Sequence, residues 1–291
     1  MDDDQHRMLV ETRVRRPEAI AEAAARRTRP KSLTNDNGKI MMIAADHPAR
    51  GALRAGDRPL AMADRAELLD RIVLALSRPG VNGILGTPDI LEDLLLLGAL
   101  EGKVVIGSMN RGGLAGTAFE MDDRFTGYDA GAIDAAGFEG GKMLLRIDAE
   151  DPATVATLQA CAQAVSDLAD HKLLAMVEPF ISHRVEGRVR NELTAEAMIR
   201  AMTVSAGLGR TSAYTWLKVP VVPEMERVMA ATTLPSLILG GEVSADPDAA
   251  FAAWRDALAL PTVLGLVVGR SLLYPSDDDV GSAVDTAVRL L

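Results

Sequence analysis

From residue 40 onward, short apolar runs alternate with longer segments in which apolar residues recur at helical spacing. The runs cover residues 40–45, 83–86, 104–107, 142–147, 173–178, 214–219, 236–239 and 263–268, eight in all. Ala-, Leu- and Glu-rich segments at 64–76, 152–168, 194–206, 223–229 and 247–258 predict helices between them. Strand and helix alternating eight times over point to parallel strands and an α/β fold, a (β/α)8 barrel in preference to an open sheet. No Gly-rich dinucleotide fingerprint follows the first run, as a doubly wound nucleotide-binding sheet would have.

The chain divides by the same pattern into an N-terminal extension, residues 1–38, and a barrel, residues 39–291. The extension is polar and Arg-rich. Pro17 ahead of Glu18 to Ala25 predicts a helix entered through proline, and Asn35-Asp36-Asn37-Gly38 predicts a turn. His6 falls in what is expected to be a mobile tail. Two connections exceed the needs of a barrel unit, 108–129 and 181–191. Both follow strands, so both belong at the C-terminal face, where barrel enzymes place their sites and long loops bind or cover substrate.

Composition narrows the function. The formal net charge of −10 opposes a nucleic-acid or anionic-membrane surface, which needs clustered positive charge, but a local pocket can still be basic. The chain starts Met1-Asp2-Asp3-Asp4 without the basic and apolar regions of a leader, and no apolar run reaches about 18 residues. A cytoplasmic protein is expected. Cys161, the single cysteine, cannot build a disulfide framework and reads as a buried, inert thiol. His6, His47, His171 and His183 show no metal-ligand spacing, so neither a metal nor another cofactor is expected.

Chemistry concentrates at strand ends. The first run closes on Asp46, the fifth on Glu178 and the sixth on Lys218, and the fourth carries Lys142 and Arg146. Only six of the 31 basic residues are lysine, yet two of those six lie inside apolar runs. Strand alternation puts Lys142 on one face with Leu144 and Arg146, and Lys218 on one face with Trp216 and Tyr214. A charge aimed into a barrel is costly unless paired or neutralised. Read one way, these residues are an ion-pair network tying strands together. Read the other way, a lysine among apolar neighbours and near a second lysine becomes a neutral amine able to attack a carbonyl, with Asp46 and Glu178 moving protons. Gly240-Gly241 after the seventh run and Gly269-Arg270 after the eighth stand where many barrels bind phosphate through backbone N–H groups.

Over residues 39–275 or so these motifs resemble the class I aldolases of the tagatose-bisphosphate, archaeal-type fructose-bisphosphate and deoxyribose-phosphate superfamily. Trp216-Leu217-Lys218-Val219-Pro220-Val221 is similar to the Schiff-base lysine motif of the tagatose-bisphosphate branch, Lys142-Met143-Leu144-Leu145 to its fourth-strand lysine segment, and Val177-Glu178-Pro179 to its fifth-strand glutamate. Ala45-Asp46 followed by Arg50-Gly51 resembles the first-strand aspartate motif, with His47-Pro48-Ala49 departing from its spacing. The resemblance implies Lys218 as Schiff-base former, Lys142 as its basic neighbour, Asp46 and Glu178 as acid/base groups, and Gly240, Gly241, Gly269 and Arg270 as the phosphate site.

The resemblance is nearest to an actinobacterial subgroup associated with inositol catabolism, which implies a retro-aldol lyase cleaving 6-phospho-5-dehydro-2-deoxy-D-gluconate to dihydroxyacetone phosphate and malonate semialdehyde. Arg146 stands where the tagatose branch has an aromatic residue. It is the first candidate for a substrate carboxylate, with Arg111 and Arg184 as alternatives. Deoxyribose phosphate, tagatose or fructose bisphosphate and a transaldol-type synthesis are the competing aldolase substrates and reactions. A phosphosugar isomerase and a non-catalytic sugar-phosphate sensor are the competing classes. A homo-oligomer is expected, with a phosphorylated sugar as the ligand.

Overall fold

The computed structural model describes residues 3–244 and 246–291, so Met1 and Asp2 of the expected N-terminus lie outside the described residues. Two helices, α1 (Asp3–Arg15) and α2 (Ala19–Arg26), precede the first strand. Eight parallel strands then follow: β1 (Ile40–Ala44), β2 (Gly83–Gly86), β3 (Val104–Ser108), β4 (Gly140–Ile147), β5 (Leu174–Val185), β7 (Thr215–Val219), β8 (Ser236–Leu239) and β9 (Val263–Val268). They pair in the order β4-β3-β2-β1-β9-β8-β7-β5, and β4 pairs back onto β5 to close the ring. The ninth strand, β6 (Arg188–Asn191), pairs antiparallel with the far end of β5. Helices α3 (Arg65–Ser77), α4 (Pro88–Leu96), α5 (Ala130–Ala135), α6 (Ala153–Asp170), α7 (Ala195–Ala206), α8 (Met225–Met229), α9 (Pro247–Leu258), α10 (Arg270–Leu273) and α11 (Val280–Val288) fill the connections. The fold is a (β/α)8 barrel.

Local chemistry sets the helix starts. The side chains of Asp64, Asp129, Thr194 and Asp246 accept hydrogen bonds from the backbone N–H three residues on, which satisfies an orphan donor at the N-termini of α3, α5, α7 and α9. The turn expected before the first strand is present, with Gly38 at φ 77° and its N–H on the carbonyl of Asn35.

Two expectations are corrected. The first residues are not a tail: α1 docks through buried Leu9, and Arg13 reaches Glu92 and Asp93 of α4 at 2.8 Å each, so His6 sits on an exposed face of a helix. Residues 181–191 are not a loop either. β5 runs on to Val185 and turns through Glu186 and Gly187, both at positive φ, into β6. Such a two-residue turn suits the twist of a hairpin. Charged residues on both strands, such as Arg184 and Arg188, mask the alternation that would reveal it.

Inside the barrel, side chains from alternate positions stack in layers. Ile40, Met42, Ile106, Met176 and Val267 form an apolar floor, with Trp216 packed against it. Further along, toward the C-terminal ends of the strands, the inward positions become Asp46, Ser108, Lys142, Glu178 and Lys218, all buried. The register that places Ser108 beside Lys142 and Lys218 beside Leu237 puts this polar layer on top of the apolar one, at the C-terminal end.

Candidate active site

Above the polar layer lies a cavity of about 500 Å3. Lys218, Glu178 and Asp46 open into it, and Lys142 lies beneath, fully buried. The Lys218 Nζ donates to Glu178 Oε1 at 2.8 Å, and the Lys142 Nζ contacts the other oxygen of the same carboxylate. Lys142 also reaches Asp46 Oδ2 at 3.2 Å. That oxygen further accepts from Ser108 Oγ at 3.2 Å and pairs with the Arg111 guanidinium. Two lysines and an arginine are thus interleaved with two carboxylates in one buried layer at the cavity floor.

The electrostatics follow from burial. Desolvation lowers the Lys218 ammonium, Glu178 opposes that, and Arg111 and Arg270 lower it further. The Lys142 amine is held well below the usual lysine range, first by burial and then by Arg111, against the pull of Glu178. Burial works to raise the Glu178 carboxyl, but the lysines on either side overcome it and hold it well below the usual carboxylate range. Burial brings Arg111 down to about 10, so it stays cationic at neutral pH. Arg111 and Arg270 are therefore the cations that lower Lys218, while Lys142 reaches it through the shared carboxylate of Glu178.

Gly240, Gly241, Gly269 and Arg270 border the cavity on the β8–β9 side. Gly241 has φ 68°, a conformation that favours glycine. A Cβ on Gly269 would strike the carbonyl oxygen of Ala44 and come within 3.0 Å of His47 Cε1, so only glycine lets β9 pass this close to the end of β1. Arg270 leans on Glu242 at 2.8 Å.

The arginines expected to meet a carboxylate are already engaged. Arg146 lines the cavity, but its Nε and Nη2 grip Asp123 at 2.8 and 2.6 Å and it also contacts Glu120. Arg111 serves Asp46 and donates to Ser108 Oγ at 3.1 Å. Arg184 donates to the carbonyl of Ala118 at 2.7 Å, tying the β5–β6 hairpin to the 108–129 connection, and is not among the cavity-lining residues. Arg50, in the short 3-10 turn after β1, lines the cavity instead. It gives one Nη to Glu120 at 3.0 Å and leaves Nε without a partner.

A family model described as Cgl0159-like matches residues 38–288. The chain belongs to the Cgl0159-like family. A crystal structure of Cgl0159 from Corynebacterium glutamicum is 52% identical, with a TM-score of 0.97 over 100% of this chain and 97% of that one. More distant likenesses concern the fold. An archaeal fructose-1,6-bisphosphate aldolase, captured with its catalytic lysine covalently bound to the carbinolamine intermediate, is 17% identical with a TM-score of 0.68, covering 93% of this chain and 98% of that one. A fructose-bisphosphate aldolase from Slackia heliotrinireducens is 16% identical with a TM-score of 0.62, covering 87% and 78%. None of the curated proteins matches the chain. This member of the Cgl0159-like family therefore has the barrel fold of Schiff-base aldolases. Among the described residues no helix is long and apolar enough to cross a membrane, and no group of three or more His, Cys, Asp or Glu could hold a metal ion.

The sequence reading gave no role in the site to His47, weighed as a metal ligand and as part of a departure from the aspartate motif, or to Arg50, read as part of that motif. Both line the cavity. The signal available in the sequence was position: each lies within one turn of Asp46, just beyond the C-terminal end of a barrel strand, where site residues collect.

Proposed function

We propose that this protein is a metal-independent class I aldolase, a carbon–carbon lyase, in which Lys218 forms the Schiff base. The observation that carries the reading is the division of labour between the two buried lysines. Both contact Glu178, yet Lys218 opens into the cavity and Lys142 does not. Burial favours the neutral amine that nucleophilic attack requires. Lys142 holds the two carboxylates in place, and Asp46 and Glu178 are the carboxylates available for proton transfer.

The proposed substrate is 6-phospho-5-dehydro-2-deoxy-D-gluconate, in a cytoplasmic pathway of inositol breakdown. Support comes from the motif resemblance and from a cavity with cations at two sides. The glycine pairs and Arg270 suit the phosphate, and Arg50, with a donor to spare, suits the carboxylate better than Arg146, Arg111 or Arg184, which are already paired. Lys218 Nζ attacks the C5 ketone and water leaves, giving an iminium. The C3 hydroxyl loses its proton, the C3–C4 bond breaks and its electrons enter the iminium. Malonate semialdehyde departs, and the remaining enamine is protonated and hydrolysed to dihydroxyacetone phosphate. An isomerase would use Glu178 as a base without any imine, so trapping of an imine separates the two readings.

Borohydride reduction in the presence of dihydroxyacetone phosphate, followed by peptide mass spectrometry, tests the reading. A reduced adduct on Lys218 and none in Lys218→Met is expected. An adduct on Lys142, or an active Lys218→Met enzyme, would overturn it.

A further inference from the structure

Resting on the Schiff-base reading, we infer that His47 is the residue that carries the proton between substrate and enamine, and that Asp46 orients its ring. Four buried polar atoms of cavity-lining residues lack a hydrogen-bond partner: Arg50 Nε, Arg270 Nε, and the neighbouring pair Asp46 Oδ1 and His47 Nδ1, of which the pair is an acceptor facing a ring nitrogen. The two atoms of that pair lie 4.0 Å apart. The other Asp46 oxygen is fully committed to Ser108, Lys142 and Arg111, so Oδ1 is its remaining acceptor and faces the one ring nitrogen that needs a partner. Leaving a buried polar atom unpaired is costly, so each of the two gains by meeting the other. A rotation of the imidazole of about 1 Å brings them to bonding distance, a closure of the size that catalytic hydrogen bonds make when substrate binds.

The consequence is a defined tautomer. With Nδ1–H donated to Asp46, Nε2 carries a free lone pair, and Nε2 is the ring nitrogen not sealed from the cavity. This is the logic of a carboxylate-oriented imidazole base. The charges around the ring keep it neutral: burial first, then Arg270 and Lys218, with Lys142 adding and Glu178 opposing. Position suits the task, because the ring stands in the field of Lys218 on one side and rests against Gly269, beside Arg270, on the other. It therefore borders the space between the imine carbon and the phosphate. Glu178 is a poorer carrier, since both its oxygens are held by lysines.

The C3 hydroxyl proton passes to His47 Nε2 as the C3–C4 electrons move into the iminium, leaving imidazolium, enamine and aldehyde. The imidazolium returns that proton to C4 of the enamine, regenerating the iminium and the neutral ring. Water then releases the ketone and the Lys218 amine.

The test uses the second half alone. Purified enzyme is incubated with dihydroxyacetone phosphate in deuterium oxide, and exchange of a hydroxymethyl hydrogen is followed by proton NMR. Imine formation is measured in parallel by borohydride trapping. His47→Gln is expected to trap the imine as the wild type does but to exchange at least ~100-fold more slowly. Asp46→Asn, which can no longer accept from Nδ1–H through the same charge, is expected to slow exchange as well, with kcat falling and KM for the phosphate ester nearly unchanged. If trapping is intact and His47→Gln exchanges within about threefold of wild type, the proposal is wrong. If only KM moves, His47 is a wall of the phosphate site and the proposal is equally wrong. A wild type that traps no imine ends the Schiff-base reading and this inference with it. Should His47→Gln fail to fold, nitrogen-15 histidine NMR of the wild type decides. The other three histidines are exposed and are broadened by a soluble paramagnetic agent, so His47 is the protected ring. A neutral Nδ1–H form is expected there, and a neutral Nε2–H form refutes the assignment.

Discussion

Replacing Glu178 by Gln should make Lys218 a nucleophile at lower pH, even as it slows turnover. The Glu178 carboxylate donates nothing and accepts from Lys218 at 2.8 Å, which favours the ammonium. A unit charge at about 4 Å in surroundings of effective dielectric near 20 is worth roughly 4 kcal/mol. Lys142 contacts the other oxygen of that carboxylate and neutralises much of its charge, so about half, roughly 2 kcal/mol, acts on Lys218. At about 1.4 kcal/mol per unit, that is a pKa change of ~1.5. The sign is fixed: removing an anion disfavours the protonated amine, and burial, Arg111 and Arg270 continue to lower it. Gln keeps the shape of the site and one acceptor. The assay is the rate of cyanoborohydride trapping with dihydroxyacetone phosphate between pH 5 and 10 (roughly the range that brackets both limbs). The limb below which trapping fails should move down by about 1.5 pH units in Glu178→Gln. A limb that stays put, or moves up, would show that Glu178 does not govern the charge on Lys218 and that the buried layer is arranged for another purpose.

Chelation should leave activity unchanged, because the proposed chemistry draws its electron sink from Lys218; loss on EDTA treatment restored by zinc would contradict it. Among 6-phospho-5-dehydro-2-deoxy-D-gluconate, deoxyribose 5-phosphate and the ketose bisphosphates, kcat/KM should be highest for the first, and a tenfold preference for another, about 1.4 kcal/mol of transition-state binding, would remove the substrate assignment while leaving the aldolase. Within that comparison, Arg50→Ala should weaken the acid far more than Arg146→Ala weakens it per unit of lost stability, since Arg146 is already gripping Asp123 and its removal leaves that carboxylate buried and unpaired, at a cost of about 3–5 kcal/mol to the fold.

Barrel strands and the polar layer were legible because both depend on short-range pattern. Runs of apolar residues bounded by helical segments locate β1 to β5 and β7 to β9 within a residue or two at nearly every end, and the period of two alone puts Lys142, Arg146 and Lys218 on inward faces. What stayed hidden depends on pairing across the chain. Nothing local to Arg13 announces α4, and nothing local to β6 announces that β5 will run on to meet it. Charge is the sharpest case. Arg146 was the first choice for a substrate carboxylate because it is an inward cation; whether an inward cation is free depends on Glu120 and Asp123, more than 20 positions away in a connection with no regular pattern. Candidate residues can therefore be named from sequence, but their roles come by subtraction, once every donor and acceptor has been matched. Carried through this site, the subtraction takes Arg111, Arg146 and Lys142 into the scaffold. It leaves Lys218 open to the cavity, one oxygen of Asp46 and one nitrogen of His47 waiting for each other, and Arg50 with a donor unspent. Those groups either open into the cavity or still lack a partner, which is why chemistry is assigned to them and not to the more numerous charges that surround them.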